Sequence, residues 1–286
     1  MFCEGGNVIN MKRTQESENK KGTLKSKAGK EIIGWVKALI YAVVAVIIIN
    51  IFVLENIMVP TTSMVPVILP EDRFFVEKIS YQFQEPEYGD IIAFWTPFAD
   101  RDAQKKLQPF DHFMNSFYGE KYKGHVKYVK RLIGKSRDIL EMDYNKEKNG
   151  YNIVVNGNTP EKLKGKIYKK TGLFVDPDFL LKIAYPDRYK FVLGDSINEF
   201  KNINENTDYT SVYQELMGDY ERKEYAWYDE EQGRVKIKVP DGMYFALGDN
   251  SADSFDCRYF GFIPEENLVG KPLIRFWPLN RFGIVE

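Results

Sequence analysis

Three short segments carry the side chains that could do chemistry. The first is Val59-Pro60-Thr61-Thr62-Ser63-Met64-Val65-Pro66, where two prolines bracket three hydroxyls. Proline fixes φ and stiffens such a segment. Taken alone, the same composition is that of a linker. The second is Tyr128-Val129-Lys130-Arg131-Leu132-Ile133-Gly134. Side chains alternate along a strand, so Tyr128, Lys130 and Leu132 share one face and Arg131 takes the other. By that parity only Lys130 of the two cations joins the apolar neighbours inside. Burial disfavours the charged amine and brings its pKa down from about 10.4 toward neutrality. A neutral amine can take the proton of a serine hydroxyl. Arginine, with its very high pKa, cannot serve as that base. Alone the motif is weak, because an edge-strand lysine with its head in water is the usual fate of lysine. The third is the polar loop Gly248 to Gly261, GDNSADSFDCRYFG, which has neither the ligand spacing nor the closing Glu of a calcium loop.

What must position these groups begins with an anchor. Ala38 to Leu54 reads ALIYAVVAVIIINIFVL without a charge. Extended through Asn56-Ile57-Met58-Val59, with Glu55 at its edge, it approaches the roughly 20 residues a bilayer helix needs. No small-x-small cleavage site follows it, so it reads as an uncleaved anchor rather than a removed leader. Residues 1–37 hold eight Lys/Arg against four Glu, a basic leader that keeps the N-terminus in the cytoplasm. The chain beyond the anchor then lies outside. Cys3 and Cys257 fall on opposite sides of the run and cannot pair within one chain. No metal-ligand spacing is present, and a net charge of −1 marks no nucleic-acid binder.

After the anchor, aromatic and alternating runs predict strands at 74–83, 91–95, 126–133, from 138, at 235–239, 244–247 and 268–277. Residues 97–124 read as a polar, irregular excursion. Asn156-Gly157 signals a tight turn, and helices are predicted over 174–183 and 211–220. The fold class is mainly β: a transmembrane helix, an antiparallel β core, and a second α+β or β domain inserted in it. The boundaries are a basic tail at 1–33, the anchor at 34–57, the first part of the core at 58–142, the insertion at 143–240, and the second part of the core at 241–286.

Together the segments resemble bacterial signal peptidase I, the membrane-bound Ser/Lys proteases that remove signal peptides from exported proteins. Pro60-Thr61-Thr62-Ser63-Met64 is similar to that family's nucleophile box, Gly89-Asp90-Ile91-Ile92-Ala93-Phe94 to its second box, Tyr128 to Gly134 to its lysine box, and Gly248 to Gly261 to its last box. The resemblance implies that Ser63 attacks the scissile carbonyl and Lys130 is the general base. It implies an oxyanion hole from the Ser63 N–H and the Thr61 hydroxyl. Ser254 would orient the Lys130 amine, Asp256 and Arg258 would form a supporting pair, and Asp249 would hold the loop. It further implies exported preproteins as substrates, cut after small residues at −1 and −3, a bilayer as partner, no metal or other cofactor, and a place in the bacterial inner membrane with a single span. Ile57, Met58, Val65, Pro66 and Phe94 are the candidate walls of the substrate pocket. Three positions depart from the family pattern: Arg137 stands where glycine is usual, Ser251 where arginine is, and Cys257 where serine is common. Cys257 reads as a small packing residue. A self-cleaving repressor-type protease shares related chemistry without the anchor, and a tethered binding module would lack the activated serine.

Overall fold

The computed structural model describes residues 30–168, 226–229, 231–232 and 234–285. Helix α1, Lys30–Phe52, is 23 residues long and apolar enough to cross a membrane. It ends sooner than the sequence predicts. Leu54–Met58 is strand β1, with alternating burial that turns Glu55 and Ile57 inward. The apolar run thus conceals a change of period at Glu55, from helical to two-residue alternation. The chain divides into two compact units between Ile49 and Asn50.

The second unit is built on antiparallel sheets. Its strands after β1 are β2 (Arg73–Glu77), β3 (Ile91–Trp95), β4 (Lys127–Gly134), β5 (Ile139–Asn145), β6 (Gly150–Val155), β7 (Ala226–Asp229), β8 (Arg234–Lys238), β9 (Met243–Leu247), β10 (Ile263–Pro264), β11 (Leu268–Trp277) and β12 (Gly283–Ile284). The larger sheet runs β1-β2-β11-β3-β4-β9-β10, with β12 beside β11, and the smaller runs β6-β5-β8-β7. The first part of β11 pairs with β3 and the rest with β2. Gly270 marks the crossing, where a Cβ would stand 1.9 Å from the Glu77 carbonyl oxygen. Only glycine lets the backbones approach this closely.

Two apolar cores flank β4. One joins Ile92, Phe94 and Leu132 to Leu140, Ile153 and Ile237, and so packs the two sheets together. The other gathers Ile57, Met64, Ile68, Phe74, Val76, Ile91, Ala93 and Val129. The strands of the expected insertion therefore share a core with the larger sheet, and the second sheet starts at Ile139 rather than 143. The helices predicted over 174–183 and 211–220 lie outside the described residues.

Elsewhere the match is uneven. The strand predicted over 74–83 stops at Glu77 and gives way to a 3-10 turn at Ser80–Gln82. The excursion at 97–124 is not irregular throughout. It contains α2 (Arg101–Lys105), capped by the Asp100 carboxylate accepting from the Ala103 N–H at 2.9 Å, and α3 (Pro109–Asn115), opened by proline and a capping box. Polar caps made these helices look like loop. Asn156 and Gly157 take φ of 52° and 80°, the turn their sequence calls for.

Arg137 holds φ at 72°, a left-handed conformation, at the position where a glycine was expected. Its guanidinium meets Asp241 through two bonds of 2.8 Å at the surface. Because side chains are strained there, Arg137→Gly should unfold at a higher temperature than Arg137→Ala in calorimetry. Asp90 accepts from the Glu87 N–H at 3.1 Å, from Lys162 at 2.8 Å and from Lys271 at 3.1 Å. Burial pushes its carboxyl up, but Lys162, the Glu87 N–H and Lys271 outweigh this and hold it below the usual carboxylate range. A depressed carboxylate stabilises the fold above its unfolded pKa of about 3.9 and loses that contribution as pH falls through the folded value. Asp90→Asn should therefore destabilise near neutrality and show a shallower loss of melting temperature on acidification than the parent.

Candidate active site

The nucleophile segment leaves β1 at Met58 and turns back at once. The Val59 N–H donates to the Asp72 carbonyl at 3.2 Å and the Glu71 N–H to the Val59 carbonyl at 2.8 Å, which closes a loop over 60–70. Within it the Val65 N–H reaches the Thr62 carbonyl at 3.1 Å and the Ile68 N–H the Met64 carbonyl at 2.9 Å. Met64 and Ile68 are fully buried and pull this turn onto the core. A second clamp comes from the C-terminal strands. Arg275 and Arg281 both donate to the Val67 carbonyl, at 3.1 and 3.2 Å, and both bond Asp72, which is 1% exposed. The sequence reading missed this pair because nothing local links residue 72 to residues 275 and 281.

Ser63 is held at the centre of the turn and is 5% exposed. The Lys130 amine, on a residue 4% exposed, lies 2.6 Å from the Ser63 Oγ. The Thr61 hydroxyl lies 3.2 Å from the same oxygen. Lys130 also sits over the Tyr128 ring at 5.3 Å. Every residue from Val129 to Gly134 is buried, so both faces of β4 are covered.

That corrects the parity argument. Lys130 and Arg131 do point to opposite faces, but Arg131 is also buried, 3% exposed. Arg131 meets Asp249 with two bonds of 2.6 Å and reaches the Gly89 carbonyl at 2.5 Å. A fork of donors matched to one carboxylate and one carbonyl makes a buried guanidinium tolerable. Alternation fails as a guide when both faces are covered. Asp249 thus holds its loop through Arg131, a partner absent from the sequence reading.

The C-terminal loop grips the nucleophile segment from the other side. The Asn250 N–H donates to the Ser63 carbonyl at 3.0 Å, the Asn250 amide donates to the Thr62 carbonyl at 3.2 Å, and the Thr62 hydroxyl bonds Asp253. The Ser254 hydroxyl donates to the Asp256 carboxylate at 2.7 Å, and the Gly248 N–H donates to it at 2.9 Å. With its proton committed to Asp256, the Ser254 oxygen keeps lone pairs to accept from a neighbouring amine. The side chain of Arg258 lies outside the described residues. Cys257 is fully buried, and its sulfur accepts from the Ala246 N–H at 3.2 Å.

The expected pocket residues fall on several elements, with Met58 partly exposed at the end of β1. Ile57 is in the core with Met64, whereas Phe94 is fully buried in the opposite core against Tyr128 and Phe260. Val65 is partly exposed and Pro66 is exposed, in the loop after Ser63. Lys127, the neighbouring lysine, bonds Glu55 and the Asn115 side chain and not the nucleophile segment. Among the described residues no His, Cys, Asp or Glu cluster could hold a metal.

A buried serine hydroxyl against a buried lysine amine, with a second hydroxyl alongside, is the arrangement of a serine hydrolase whose base is an amine. The model of the family described as signal peptidase, peptidase S26, matches residues 32–277, and the chain belongs to that family. It is 28% identical over 282 residues to a signal peptidase I of Buchnera aphidicola from Acyrthosiphon pisum, covering 95% of this chain and 80% of that one. It is 27% identical over 249 residues to a probable signal peptidase I-2 of Synechocystis, covering 87% and 75%. A signal peptidase I of Aquifex aeolicus is 26% identical over 253 residues, covering 82% and 80%.

Gly248 offers a direct check on the packing around Ser63. A Cβ there would stand 2.1 Å from the Ser254 Oγ and 2.5 Å from the Ser63 carbonyl oxygen. Gly248→Ala must push Ser63 and Ser254 apart, so peptidase activity should fall about a hundredfold or more in a protein that still unfolds cooperatively.

Proposed function

We propose that the chain is a membrane-bound endopeptidase that removes signal peptides from exported preproteins with Ser63 as nucleophile and Lys130 as general base. The observation that carries this reading is the 2.6 Å contact between two buried groups, the Ser63 Oγ and the Lys130 Nζ. Burial denies the lysine the water that would stabilise its charge. In the neutral state the amine accepts the Ser63 proton as the oxygen attacks the scissile carbonyl. The lysine then returns that proton to the leaving amine. The Thr61 hydroxyl and the Ser63 N–H receive the charge that develops on the carbonyl oxygen. Ser254, fixed by Asp256, orients the amine, and the Asp249–Arg131 pair secures the loop that carries both. The reaction draws on no metal or cofactor.

Helix α1 anchors the enzyme, with the basic leader in the cytoplasm and the catalytic unit on the outer face of the bacterial inner membrane. Leu273, Ile274, Trp277, Leu279, Phe282 and Ile284 are exposed apolar residues clustered on β11, β12 and the turn between them. Such a patch suits contact with lipid. Small residues at −1 and −3 of the substrate are selected by shallow apolar walls, for which Val65 and Pro66 remain the exposed candidates.

The test is cleavage of a signal-peptide-bearing preprotein in detergent or lipid. The wild type should cut after a small residue. Ser63→Ala and Lys130→Met should both be folded and inactive, with losses of at least about a thousandfold. A fully active Lys130→Met would remove the proposed base. A wild type that cuts nothing would favour a tethered binding module.

A further inference from the structure

β1 leads into the nucleophile segment and β4 carries Lys130, yet β2, β11 and β3 lie between them in the sheet. At about 4.8 Å per strand step, a flat sheet would hold β1 and β4 roughly 19 Å apart. One carboxylate closes that gap. Glu55 of β1 bonds Lys127, the first residue of β4, and also bonds Lys78, just beyond β2, at 2.6 Å. All three side chains are 7% exposed.

The two lysines face different tasks. Lys78 turns to the end of α1, donating to the Asn50 and Ile51 carbonyls at 2.8 and 3.3 Å and to the Tyr118 hydroxyl at 2.5 Å. Lys127 donates to the Asn115 side chain at 2.9 Å and sits 4.2 Å from the centroid of the Trp95 ring. Ile57 of β1 and Val129 of β4 share an apolar core, and among the described residues Glu55–Lys127 is the ion pair that joins the two strands directly. Burial pushes the Glu55 carboxyl up, but Lys127 and Lys78 together outweigh it and hold it below its ordinary value. Burial pulls Lys127 down against the opposing effect of Glu55. Buried ion pairs are poor sources of net stability, and their best-attested use is to fix a register.

We propose that the Glu55–Lys127 ion pair is a positioning device for the Ser63–Lys130 dyad, tying the strand that delivers the nucleophile to the strand that delivers the base. This rests on the dyad reading above. Lys130 stands three residues beyond Lys127, about 10 Å along the same strand. Ser63 stands eight residues beyond Glu55. The tie sets how far the sheet curls and hence how closely the two reacting atoms meet. Displacements of about 1 Å at such a site cost on the order of a hundredfold in rate.

The experiment compares Lys127→Met, Lys78→Met and Lys130→Met in the full chain, reading kcat and KM on a preprotein together with thermal unfolding. Lys127→Met breaks the tie but leaves Glu55 paired with Lys78, so no buried carboxylate is orphaned. It should lower kcat about tenfold or more with KM within about twofold. Lys78→Met keeps the tie, so it should lower the unfolding temperature while the folded enzyme retains its kcat. A wild-type kcat in Lys127→Met, or a loss no larger than in Lys78→Met, overturns the proposal. Should Lys127→Met not fold, Lys127→Gln keeps a donor for Glu55. A smaller kcat loss is then expected, and a wild-type kcat overturns the idea. Lys130→Met separates the two levels: if it is fully active, the dyad reading itself fails.

Discussion

The structure depends on the curl of one antiparallel sheet. Ser63 follows its first strand and Lys130 lies on its fifth, and their side chains meet at 2.6 Å. Everything around them serves that meeting. Gly270 allows β11 to pass from β3 to β2. Arg275 and Arg281 clamp the loop after Ser63 through Val67 and Asp72. The loop after β9 holds the Ser63 carbonyl through Asn250. None of these contacts is local in sequence, so the site exists only when the whole sheet has formed.

Burial then supplies the chemistry. A lysine in water is charged at neutral pH and useless as a base. The proposed mechanism rests on Lys130 being buried, because burial disfavours the charged form of an amine. β4 is covered on one face by the core shared with the smaller sheet and on the other by the core around Met64 and Phe74. The second sheet, whatever else it does, is part of what keeps Lys130 dry.

What the sequence made legible follows from the range of the interactions. Strands such as Ile91–Trp95 and Leu268–Trp277 announce themselves through aromatic and aliphatic content and stand where predicted. Ser63 and Lys130 were legible as segments whose residue types suit one reaction, and the resemblance to a family joined them. Arg131 was misjudged because alternation assumes one wet face, and β4 has none. The end of the anchor was misplaced because Leu54, Ile57 and Met58 carry the apolar run past the helix, while Glu55 and Asn56 mark the change of period. The pocket candidates were chosen by nearness to the boxes along the chain. Ile57 and Phe94 are near the boxes in sequence but lie in opposite cores, a fact of strand facing that proximity along the chain does not encode. Arg137 shows the reverse case, a residue type that departs from expectation while the backbone keeps the left-handed turn.

The central claim is that Ser63 is activated by the amine of Lys130 and by no other group. The most direct measurement is the rate at which a serine-directed acylating reagent modifies Ser63 across pH, in the wild type and in Lys130→Met. The account predicts a rate that rises with pH along a single-proton curve in the wild type and is slow and flat in the variant. The same curve in both proteins would contradict it, because the titrating base would then be some group other than Lys130.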